Sequence, residues 1–144
     1  MRATWISVLA IAGGCSWFTS NSSSTVTLHS SDRTPAATGE VSAIPAPNGN
    51  TEVTINVEHL APPQRIMPGA TTYVAWIVPG DHDAHDSTRI PANAGAIRLG
   101  PDLHGQLQTV TPYKQFRVEV TPERSAMTEQ PTGMPVLTAH VDRG

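Results

Sequence analysis

In Glu52-Val53-Thr54-Ile55-Asn56-Val57-Glu58-His59, apolar and polar residues alternate without a break. Successive side chains of an extended chain point to opposite sides, so Val53, Ile55 and Val57 form one face and Thr54, Asn56 and Glu58 the other. That is the pattern of a strand with one buried side. Asn48-Gly49-Asn50 just upstream is a turn sequence, and the run before it, which holds Val41 and ends at Pro45-Ala46-Pro47, is predicted to pair with this strand as a hairpin.

Downstream, Leu60-Ala61-Pro62-Pro63 closes the strand and a loop through Met67-Pro68-Gly69 leads into Thr72-Tyr73-Val74-Ala75-Trp76-Ile77-Val78. This run is apolar almost throughout, as a central strand covered on both faces requires, and Trp76 is the first candidate for the core. Ala96-Ile97-Arg98-Leu99 and the segment through Leu107 and Val110 read as two further strands. Gln115 to Thr121 alternates again, with Phe116, Val118 and Val120 on the buried side, and Val136 to Val141 is the last strand. The prediction is an all-β domain over residues 39–144, a small immunoglobulin-like antiparallel β-sandwich of about seven strands, with Tyr113 before the sixth as a candidate tyrosine corner.

Composition agrees with few helices: thirteen prolines and eleven glycines interrupt nearly every helix-length segment. Twelve acidic residues against nine basic ones give a net charge of −3, with a single lysine, Lys114, and dispersed arginines. Nucleic acid selects for clustered Lys and Arg, so it is set aside as a partner.

At the start of the chain, Arg2 precedes the apolar Trp5-Ile6-Ser7-Val8-Leu9-Ala10-Ile11, then come the small residues Ala12-Gly13-Gly14 and the only cysteine, Cys15. A charged start, an apolar stretch and small residues before the cut make an export signal. The run is too short and too glycine-broken to span a bilayer, which takes about 20 apolar residues. Cys15 directly after it resembles the lipobox of bacterial lipoproteins. That resemblance implies cleavage after residue 14, a diacylglyceryl group on Cys15, and a protein held to the envelope membrane outside the cytoplasm. Residues 15–38, rich in Ser and Thr, then read as a flexible, lipid-anchored linker, with a short strand as the alternative where Val26 and Leu28 alternate with Thr25 and Thr27.

The runs Thr72 to Val78, Ile97-Arg98-Leu99-Gly100, Phe116 to Glu123 and Gln130-Pro131-Thr132-Gly133-Met134-Pro135-Val136-Leu137 follow a recurring order. In that order the chain resembles the extracytoplasmic C-terminal domain of anti-sigma-K factors. The motifs mark turns and strand ends, so the resemblance implies a β-sandwich module and not a chemistry. The fourteen residues before Cys15 are too few for a sigma-binding domain, and the regulatory function is not carried over.

The densest polar cluster is Asp81-His82-Asp83-Ala84-His85-Asp86, directly after the Trp76 strand. Imidazoles and carboxylates bind Zn and Cu, so Asp81, His82, Asp83, His85 and Asp86 are the candidate ligands of an alternative, metal-binding reading. A solvated turn is the simpler account, because Asp is a turn former. His59, His104 and His140 read as strand-end or turn histidines. Carboxylates such as Glu119 and Glu123 could pair as acid and base, but nothing in their spacing requires it, and no nucleophile, zinc-protease or phosphate-loop motif occurs. The expectation is a non-catalytic module with no cofactor and no identifiable small-molecule substrate, whose partners are the membrane, through its lipid, and an envelope protein.

Overall fold

The computed structural model describes residues 22–80 and 89–144. Nine strands occur there: β1 (Ser24–Thr27), β2 (His29–Ser30), β3 (Thr38–Pro45), β4 (Thr51–Glu58), β5 (Thr72–Pro79), β6 (Ala92–Ile97), β7 (Gly105–Thr111), β8 (Gln115–Glu123) and β9 (Leu137–Asp142). They form two antiparallel sheets, one in the order β1-β3-β4-β7 and the other β2-β9-β8-β5-β6. Among the described residues no helix is long and apolar enough to cross a membrane.

The sheets face each other across a single core. Val41 and Ala43 of β3 and Val53, Ile55 and Val57 of β4 supply one wall; Tyr73, Ala75 and Ile77 of β5 with Phe116, Val118 and Val120 of β8 supply the other. The β3–β4 hairpin forms as its turn sequence requires, with Val41 opposite Ile55 and Ala43 opposite Val53, and Asn48 and Gly49 take the left-handed backbone of the turn. Strands β3 to β9 are the runs read from the sequence. β6 shares only Ala96 and Ile97 with its predicted run: it starts earlier, because Ala92, Ala94 and Gly95 are too small to give a period, and it ends before Arg98 and Leu99, which belong to the following loop.

Residues 22–38 depart from the expected linker. β1 pairs with β3 and β2 with β9, so the chain passes from one sheet to the other at Leu28. Leu28 and Ala37 are buried, and the Thr34 hydroxyl donates to the Val136 carbonyl at 3.1 Å. Two open sheet edges take up this polar segment through its backbone, so a few buried side chains suffice. Gly39 makes the crossing possible, since a Cβ there would strike the Asn56 carbonyl oxygen and the Leu28 side chain.

Trp76 is a second departure. It is fully buried, but it alternates with Tyr73, Ala75 and Ile77 and therefore lies on the outer face of its sheet, away from the inter-sheet core. The long connection from β8 to β9 covers it. That connection reaches β6, where Asn93, the residue paired with Trp76, donates from Nδ2 to the carbonyls of Ala126 (3.0 Å) and Thr128 (2.8 Å). Tyr113 is exposed, and its backbone N–H donates to the Thr111 hydroxyl; it makes no corner. The buried tyrosine is Tyr73.

Candidate functional site

The strands run lengthwise between two ends of the sandwich. Ser22, the β3–β4 turn, Pro79, Tyr113 and Gly144 lie at one end, because β1 and β4 start there and β7 and β9 finish there. The opposite end carries the chain from His59 to Thr71 and from Arg98 to His104. This distal end holds a cleft of about 430 Å³ walled by Pro62, Pro63, Tyr73, Ile97, Leu99 and Leu103.

The prolines build one wall by ending β4 and starting the single turn of α1 (Pro63–Ile66). Tyr73 forms the floor: its hydroxyl donates to the Ala61 carbonyl at 2.7 Å, and burial pushes its pKa up to about 12. The facing wall is a tight loop in which Gly100 N–H donates to the His104 carbonyl (2.8 Å) and Leu103 N–H to the Gly100 carbonyl (3.0 Å). Leu60 N–H donates to the Leu103 carbonyl at 3.2 Å and ties the two walls together.

That tie imposes backbone strain on both sides. His59 has φ 54° and Leu103 φ 63°, left-handed conformations that cost a side-chain-bearing residue about 1 kcal/mol or more. Their turns bring His59 and His104 together, with ring centroids 5.6 Å apart and planes at 72°. Asp102 stands beside this pair, with Oδ2 3.9 Å from His104 Nδ1 and Oδ1 accepting from the His104 N–H. The sequence separates these histidines by 45 positions, so no spacing rule links them. Among the described residues no group of three or more His, Cys, Asp and Glu is placed to hold a metal ion. The cleft mixes apolar walls with the polar side chains of Gln64, Thr71, Thr72 and Arg98, which is the chemistry of a binding surface.

The two carboxylates of β8 are structural. Glu119 accepts from Arg117 Nε at 2.7 Å, and it stands four residues from Glu123, about 13 Å along the strand. That is beyond the separations at which paired carboxylates share a reaction. Glu123 is fully buried and holds the β8–β9 connection: it accepts from the Thr121 hydroxyl (2.6 Å), the Thr132 hydroxyl, Thr132 N–H (2.9 Å) and Gly133 N–H (3.1 Å). Thr121 in turn accepts from Trp76 Nε1 at 2.8 Å, making a chain of bonds from indole to carboxylate. Burial pushes the Glu123 pKa up, but the Thr121, Thr132 and Gly133 donors outweigh it and hold the carboxyl below its ordinary value.

Cys15 and the cluster Asp81, His82, Asp83, His85 and Asp86 lie outside the described residues. The flanks of the cluster, Gly80 and Arg89, are at the end opposite the cleft, where Gly80 N–H donates to the Gln115 carbonyl and Arg89 Nη1 to the Pro79 carbonyl. No family model, curated protein or solved structure matches the chain.

Proposed function

We propose that this chain is a non-catalytic β-sandwich lipoprotein of a bacterial envelope, anchored through lipid on Cys15, which meets an envelope protein through the cleft at its distal end. One observation carries the reading. Both ends of the described chain, Ser22 and Gly144, lie at one end of the sandwich, and the cleft and the His59–His104 pair lie at the other. A domain held by its N-terminus therefore presents the cleft away from the membrane. The reading is non-catalytic because the carboxylates that invited a reaction have structural partners, Arg117 for Glu119 and the β8–β9 connection for Glu123.

An immunoglobulin-like class is supported by strand order. Strands β3 to β9, taken as A, B, C, C′, E, F and G, fall into A-B-E and G-F-C-C′, the arrangement of such sandwiches without strand D. The sequence order that resembles the anti-sigma-K extracytoplasmic domain is consistent with a module of this kind.

Membrane fractionation of wild type and Cys15→Ala tests the proposal. The wild type is expected with the membranes and the variant in the soluble fraction. An intact mass showing an unmodified Cys15 thiol in the wild type rejects it.

A further inference from the structure

Six large apolar side chains are exposed among the described residues, and four of them gather at the end from which the N-terminal segment leaves. Ile44 and Val110 flank Glu52 in one row across the outer face of the four-stranded sheet, next to its end. Tyr113 stands in the turn from β7 to β8, beside the exposed Lys114. Ile90, 75% exposed, precedes β6 next to Arg89, which is bound to Pro79. The Ser22 hydroxyl donates to the Arg143 carbonyl at 3.4 Å, which places the departing chain in the same neighbourhood.

The chain outside the structure limits where this end can go. Cys15 stands seven residues before Ser22, a reach of at most about 25 Å. β8 alone, with nine residues, is about 30 Å long. An anchor on Cys15 therefore cannot run back along the sandwich to turn the distal end toward the bilayer.

We propose that this proximal end is a lipid-contacting surface, with Ile44, Ile90, Val110 and Tyr113 seated at the bilayer interface and Lys114 reaching the headgroup phosphates. The proposal rests on the reading of Cys15 as an anchor. Tyrosine, with an apolar ring and a polar tip, suits that depth, and the aliphatic side chains leave water there at a gain of about 25 cal/mol per Å². Glu52 and Asp142 share this end with Lys114, Arg89 and Arg143, so its charge is mixed and the attraction is to the apolar interface, with no strong selection for anionic lipid.

The test uses the full chain in its own membranes, with one added cysteine at Val110→Cys, Tyr113→Cys or, as a distal control, Pro101→Cys. All three positions are exposed, and urea midpoints matching the wild type verify that each variant folds. A nitroxide on the added thiol is read for collision with membrane-dissolved oxygen against a water-soluble nickel chelate. The expected oxygen-to-chelate ratio is several-fold higher at 110 and 113 than at 101. Equal ratios at all three positions in a membrane-held chain overturn the surface and leave the anchor standing. Spin–spin broadening at 110 between copies overturns it in favour of a second chain on this face. Label on Cys15 of the unmodified sequence, with the chain in the soluble fraction, overturns the anchor and this proposal with it.

Discussion

Glu123 shows how one residue can organise a surface without doing chemistry. Its carboxylate is buried without a cation among its bonded partners, and four donors, from Thr121, Thr132 and Gly133, hold it ionised. Because its folded pKa is lower than its unfolded one, it adds stability that is complete above the unfolded value and is lost as pH falls through the folded value. Glu123→Gln replaces an acceptor-only group with one that also donates toward donors. It should cost about 1–3 kcal/mol at pH 7, and the gap to wild type in urea denaturation should shrink toward pH 3. Trp76→Ala empties the site beneath the same connection and should cost about 3–5 kcal/mol in the same assay. The sequence made Trp76 legible as buried, but hydrophobicity alone could not say on which side of the sheet. Only the parity of β5 against Tyr73 decides that, and both neighbours of Trp76 are apolar too.

At the scale of elements, the strands with clean alternation were the legible ones. β4 and β8 carry their own period, and the Asn-Gly turn fixed the β3–β4 hairpin. β1 showed only as the short alternation of Val26 and Leu28 with Thr25 and Thr27, and β2 not at all, because their contribution is largely backbone pairing to two edges, which leaves little apolar signature in Ser-Thr-Val-Thr and His-Ser. The test is a pair of fragments. One beginning at Ser22 should unfold cooperatively, and one beginning at Gly39 should be less stable, because it loses Leu28 and exposes the edges of β3 and β9. Leu28→Ala in the longer chain should cost about 2–5 kcal/mol. A flexible tether would give no difference in either comparison. The distal histidine pair was equally hidden: His59 and His104 meet only because two strained turns face each other.

For the whole molecule, the adjacency of Ser22 and Gly144 makes the fold nearly closed on itself. A short linker joining these ends, with a new opening at the exposed Pro101-Asp102 turn, should give a permuted domain with the same β-rich circular dichroism and one cooperative transition. With β1 and β2 folded into the sandwich, seven residues, with a reach of at most about 25 Å, separate Cys15 from Ser22, where the 24 residues of the expected linker would reach about 80 Å. This has a mechanical consequence. In the proposed anchored state, tension between a membrane at one end and a partner at the other would act along the strands, shearing the β1–β3 ladder and loading its four residue pairs together. Tension applied between the two termini would instead peel the chain from one side, breaking one pair after another. If Cys15 is the anchor we propose, the domain bears pull in the direction in which its tether would deliver it.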